Sequence, residues 1–168
     1  MRALTLTVKI AVLCSVLVIP GWASAQDAQT KAVDPSQVVT SVTVEQVKGI
    51  LEAGGYKAVL QSGNDGTKYL KSQMSGYATY VFTAGCSGDN CSVVEFYLGF
   101  TKDPSLTVNY ANAWNNSYRF ARAYIESDGN FSFEYDVSTS GGVTLGSILE
   151  AAKTFDLLVE KLKNFNGK

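Results

Sequence analysis

The chain has 168 residues, 46% of them hydrophobic, with 14 basic and 15 acidic side chains and no histidine. That is room for one domain with a real core, hardly for two, and too apolar for wholesale disorder. The missing histidine excludes Ser-His-Asp and Cys-His catalysis and histidine-held metals. No basic patch of the kind that tracks a phosphate backbone is present, which argues against nucleic acid.

Arg2 and Lys9 precede an apolar run, Ile10 to Ile19, followed by Pro20-Gly21 and the small-residue pattern Ala23-Ser24-Ala25. Residues 1–25 therefore read as a secretory signal peptide cleaved after Ala25. An uncleaved anchor is the alternative, but the run is short for a bilayer. Cys14 follows Leu13, where a lipidation signal wants a small residue, so it goes with the signal. What remains has 12 basic and 15 acidic side chains, a net charge of −3, with no membrane anchor. It keeps two cysteines, Cys86 and Cys91, an even number suited to an oxidising compartment.

Residues 26–42 are polar and aperiodic, a flexible lead-in with Val38 to Val42 at most a short extended piece. The domain proper, residues 43–165, opens at Thr43, with Gln46 completing a capping-box pattern. Val44, Val47, Ile50 and Leu51 share one helical face, and Gly54-Gly55 stops the helix. Tyr56 to Gln61 and Lys68 to Gln73 flank Gly63-Asn64-Asp65-Gly66 and read as a hairpin. Asp65 lacks the further acidic positions of a calcium loop and reads as a plain turn residue.

Tyr77 to Ala84 and Ser92 to Phe100 form a second hairpin, with a four-residue loop between Cys86 and Cys91. That loop sets the two cysteines opposite each other as a structural disulfide, because CxxxxC is not the redox CxxC spacing. Counting outward from them places Val81 opposite Phe96, Thr79 opposite Leu98 and Thr83 opposite Val94 on one face. Tyr80 then meets Tyr97, and Phe82 meets Glu95, on the other.

Asp103-Pro104 reads as the start of a middle helix, Asp as N-cap and Pro at its first position. Leu106, Tyr110, Ala113 and Trp114 share a face, and Asn115-Asn116 ends the helix. Arg119 to Ile125 and Phe131 to Val137 form a third hairpin around Glu126-Ser127-Asp128-Gly129-Asn130. The register that pairs Arg122 with Glu134 is preferred to one pairing Arg122 with Tyr135, because it joins opposite charges. It also sets Ala121, Ala123 and Ile125 beside Phe131, Phe133 and Tyr135 on the inner face. The last helix, about Val143 to Leu162, carries Leu145, Ile148, Ala152, Phe155, Val159 and Leu162 as a stripe that packs on the sheet. A free-standing coiled coil is disfavoured, since the repeat barely exceeds two heptads.

Helix, four strands, helix, two strands, helix is an α+β order with an antiparallel sheet of about six strands and helices on one face. Asn109 to Val143, with NAWNNSYRFARAYIESDGNFSFEYDV followed by GGVT, resembles the YbjN-domain family of bacterial sensory transduction regulators. The Gly-Cys…Cys-Ser-Val-Val-Glu-Phe-Tyr segment resembles its exported members. The resemblance covers about Thr43 to Leu162, with Asn109, Trp114, Asn115, Arg119 and Arg122 matching the motif. It implies a fold similar to type III secretion chaperones, while the signal pattern and the paired cysteines point to a secreted, periplasmic location. The resemblance supplies no catalytic set.

Three groups of residues remain as candidates. Glu95, Glu134 and Asp136 have the makings of an acid/base pair, but alternation with Phe131, Phe133 and Tyr135 is what a half-solvated strand shows anyway. Asn109, Asn115 and Asn116 beside Trp114 suggest a sugar or peptide site, which helix capping and core packing explain as well. The third is the outer face, where Tyr80, Phe82, Tyr97, Phe120 and Tyr124 gather with Glu95, Arg122 and Glu134. The expectation is a non-enzymatic, cofactor-free binding or chaperone-like module that engages a peptide or protein through this face. A homodimer on the same face is the alternative, and a carboxylate hydrolase stands behind both.

Overall fold

The computed structural model describes residues 33–167. The expected signal peptide, its cleavage point, Cys14 and the first part of the lead-in lie outside the described residues. The rest of the lead-in is tied into the fold. Val38–Val39 form strand β1, which pairs with β8 (Val143–Thr144), and Val42 exchanges two 2.8 Å backbone bonds with Cys91. Val42 is fully buried, so the fold begins before Thr43.

Helix α1 (Val44–Ala53) starts on the expected capping box, with the Gln46 N–H donating to Thr43 Oγ1 and the Thr43 N–H to Gln46 Oε1. Strands β2 (Val59–Ser62) and β3 (Lys68–Met74) make the first hairpin, and Asp65 accepts from the Thr67 N–H as a turn residue does. Strand β2 opens three residues later than the pattern predicts, because the Tyr56 N–H still bonds to Leu51 at the end of α1.

Strands β4 (Tyr77–Ser87) and β5 (Asn90–Phe100) pair in the predicted register, Val81 to Phe96, Tyr80 to Tyr97 and Phe82 to Glu95. They run past the cysteines, so the turn between them is two residues, Gly88-Asp89, rather than four. Ser87 pairs with Asn90, and the Cys86–Cys91 disulfide spans a Cα separation of 3.9 Å just behind.

Helix α2 (Val108–Ser117) corrects two expectations. Its N-cap is Thr107, whose Oγ1 accepts from Tyr110 N–H, while Asp103 instead closes a separate turn onto Ser105 and Leu106. Asn115 and Asn116 lie within the helix, and the stop comes at Tyr118, where the backbone turns extended. The reason is tertiary. Trp114 Nε1 donates to Ala121 O at 3.0 Å, and the Asn115 amide bonds both the N–H and the C=O of Ala123 at 2.9 Å. Asn115 thus serves the outer edge of strand β6 (Arg122–Ile125) as a neighbouring strand would.

Strands β6 and β7 (Phe131–Ser138) adopt the charge-pairing register, Arg122 opposite Glu134, around a turn in which Gly129 sits at φ +90°. The six-stranded sheet runs β2-β3-β4-β5-β7-β6, antiparallel throughout. Helix α3 (Leu145–Lys163) lies on one face, with every residue of its expected stripe buried. Phe155 is its centre, 5.9 Å from Phe96 and 5.4 Å from Phe133 between ring centroids. A side chain of that size contributes about 1.5–3 kcal/mol on full burial. Asp156 beside it accepts from the hydroxyls of Tyr56 and Ser75, which fixes how the helix lies along the sheet.

Two outcomes test this account. The disulfide closes a ring of only six residues, so reducing it, or replacing both cysteines by serine, should lower stability by about 2–3 kcal/mol in urea unfolding, without changing the far-ultraviolet circular dichroism. Asn115→Ala leaves two backbone groups at a sheet edge unpaired and should cost about 1–3 kcal/mol, with Asn115→Asp between it and wild type.

Candidate functional site

Strand alternation leaves the side chains opposite α3 to form an outer face, and no element among the described residues packs on it. Its centre is aromatic. Tyr69, Tyr80, Phe82 and Tyr97 stand on three adjacent strands with ring centroids 5.5–6.5 Å apart, all half-buried against one another. Tyr69 belongs to this group although its spacing within β3 was not singled out above. Only the register of β3 on β4 brings it there, through the Leu70–Val81 pair. Gly99 lets Tyr97 lie along its strand, because a Cβ there would collide with the phenol ring. The Tyr97 hydroxyl can then meet Ser132 Oγ at 3.1 Å, and Ser132 donates onward to Glu126.

Beside the rings lies a charged corner. Glu134 accepts from Arg122 Nε at 3.0 Å, from Arg122 Nη2 at 2.5 Å and from the Tyr124 hydroxyl at 2.5 Å. Arg122 also reaches Asp136, with Nη1 3.1 Å from Oδ2. Glu134 is only 5% exposed, which corrects the expectation that this strand face is merely solvated. Its neighbours bury it without any helix above, and the bonds replace the water it has lost. Burial, and then the bond to Glu134, push the Tyr124 phenol up to about 12.

Glu95 faces Asp136 directly across β5 and β7. Burial first, then repulsion from Glu134 and Asp136, raise its carboxyl to about 6, with Arg122 opposing. This is a corner with three carboxylates and one guanidinium. Arg122 pairs with Glu134 and Asp136, whereas Glu95 makes no ion pair among the described residues.

Phe120 is not part of this face. The alternation that would group it with Arg122 and Tyr124 fails, because β6 begins only at Arg122 and Phe120 sits at φ +75°. Its ring lies 5.8 Å from Tyr135, which belongs to the inner set with Phe131 and Phe133, and it is 68% exposed. Of the predicted outer residues, Tyr80, Phe82, Tyr97, Arg122 and Tyr124 are brought together, and Phe120 is set apart.

The asparagine group disperses too. Asn109 is exposed on α2, Asn115 serves β6, and Trp114 is buried among Tyr118, Phe133 and Phe165. Arg119 is exposed at the bend before β6. Among the described residues no group of three cysteine or acidic side chains converges as a metal site. A cavity of about 320 Å³ opens on the helix side between Tyr77, Phe100, Leu106, Tyr110 and Phe165. It is separate from the outer face.

A family model described as "YbjN: Putative bacterial sensory transduction regulator" matches residues 43–164. The chain belongs to the YbjN family. No curated protein matches it. The YbjN match spans all three helices, the six-stranded sheet and the whole outer face. Its description is regulatory rather than catalytic. Trp114 and Asn115, two of the positions expected from the resemblance, form the joint between α2 and β6.

Glu95 offers a test of the corner's electrostatics. Its folded pKa stands above the ordinary 4.5, so the folded state holds the proton more tightly and stability should fall as pH rises through the window from 4.5 to about 6. For a half-exposed group the effect should be on the order of 1 kcal/mol at neutral pH. Glu95→Gln should remove that part of the fall, read from thermal melts at about pH 5 and pH 7.5.

Proposed function

We propose that this YbjN-family protein is a non-enzymatic binding module of the regulatory or chaperone-like kind, acting in the bacterial periplasm through the outer face of its sheet. The observation that carries the reading is the joining of Tyr69, Tyr80, Phe82 and Tyr97 to the Arg122–Glu134–Asp136 corner, on a sheet face that no described element covers. Aromatic bodies with hydroxyl tips, next to held charges, are what protein-contact surfaces use. A partner that covers them gains apolar burial and finds hydrogen-bond groups already oriented. The partner is a protein or peptide.

Two further observations support the compartment. The Cys86–Cys91 disulfide suits an oxidising environment. The Arg2-to-Ala25 pattern supplies the export route.

Co-expressing tagged and untagged copies and capturing the tagged one from periplasm tests the surface. Tyr80→Ala and Tyr97→Ala should each cut the polypeptides captured, whether the untagged copy or another protein, by about tenfold if these rings are binding anchors. Melting behaviour should stay within about 1–2 kcal/mol of wild type for half-exposed positions. Capture that is identical in both variants removes this face as the contact surface.

A further inference from the structure

Across its strands the outer face is an ordered row. Val59, Lys71, Tyr80, Tyr97, Glu134 and Arg122 are each the register partner of the next. The row is polarised about the midpoint between Tyr80 and Tyr97. One side carries the exposed Lys71, which makes no ion pair among the described residues, with Lys57 lining the same shallow recess. The other side carries Glu134, with Glu95 and Asp136 in the adjacent row, and only Arg122 against the three. The face is therefore basic at one flank, aromatic in the middle and acidic at the other.

Such a surface is complementary to itself under one symmetry operation. Two sheets set face to face about a twofold axis lying along the strands exchange their flanks. With the axis between Tyr80 and Tyr97, Tyr80 of each copy falls over Tyr97 of the other, and Lys71 falls over Glu134. Residues two apart along a strand are about 7 Å apart and neighbouring strands about 4.8 Å, so Asp136 and Glu95 lie about 7 and 8 Å from that point, within reach of the same flexible lysine. An axis across the strands would stack carboxylate on carboxylate instead, which repels. The charges select the first arrangement, and a closed twofold contact needs only this self-complementary patch.

We propose that the occupant of the outer face is a second copy of this chain, docked about a twofold axis along the strands that sets Lys71 of each copy against the Glu95, Glu134 and Asp136 carboxylates of the other. This rests on the reading of the outer face as the contact surface and names its partner. The aromatic centre gives the contact its apolar burial. The flanks fix its orientation and make it sensitive to salt.

Analytical ultracentrifugation of the exported chain over a range of concentrations decides the matter. Wild type should be a dimer that dissociates more readily at high salt. Lys71→Glu alone and Glu95→Lys alone should each weaken it by at least about tenfold, since each homodimer then opposes like charges twice. An equimolar mixture of the two variants should restore a heterodimer, because both cross-copy contacts then join opposite charges. Asp136→Lys serves as a second acidic reversal if Glu95→Lys melts early. A wild type that stays monomeric at every concentration overturns the second copy, as does a mixture that regains nothing. If the chain is monomeric but Tyr80→Ala and Tyr97→Ala still abolish capture of another polypeptide, only the second copy falls. A dimer that survives the charge reversals and both aromatic variants removes the face itself.

Discussion

The contact of Phe155 with Phe96 and Phe133 is the constraint on which the architecture rests. It commits one face of the sheet to α3. Strand geometry then leaves no freedom on the other side, because side chains alternate strictly and every residue between two core positions must point away. Val81, Val94, Phe96, Leu98 and Phe133 turn inward beneath the helix. Tyr80, Phe82, Glu95, Tyr97 and Glu134 are outward for the same reason. The outer face is the geometric complement of the core.

That origin explains an unusual property of the face. A solvated sheet surface ordinarily carries separated polar groups. Here Glu134 is buried on it, enclosed by Arg122, Tyr124 and its strand neighbours. An ionised group so placed survives only with its bonds made, and the guanidinium and the phenol make them. The corner is consequently ordered by its own bonds. Lys71 and the carboxylates stand at opposite flanks because the register fixes them there, giving the surface a direction as well as a composition.

Two of the positions expected from the resemblance have a structural role in this light. Trp114 and Asn115 are spent on joining α2 to the last hairpin, one by filling the core and one by serving the β6 backbone. This joint closes one edge of the sheet. It also explains why helix α2 continues through two asparagines that ordinarily favour a stop. Asn115 gains two bonds to Ala123 by staying helical, and local preference yields to them.

Much of the molecule was legible in the chain itself. The capping box at Thr43, the registers of the last two hairpins, the disulfide and the α3 stripe all follow from periodicity and turn chemistry, which are local and act before the fold is complete. The start of α2 misled because Asp103-Pro104 satisfies the same capping preference in a simple turn. What only the tertiary structure decided were relations between distant segments. Phe120 left the outer face through a positive φ at a strand entrance, Tyr69 joined it through pairing with β4, and Glu134 was buried by neighbours from another strand. Alternation specifies the side of a sheet on which a residue stands, whereas enclosure depends on groups that meet only when the strands assemble.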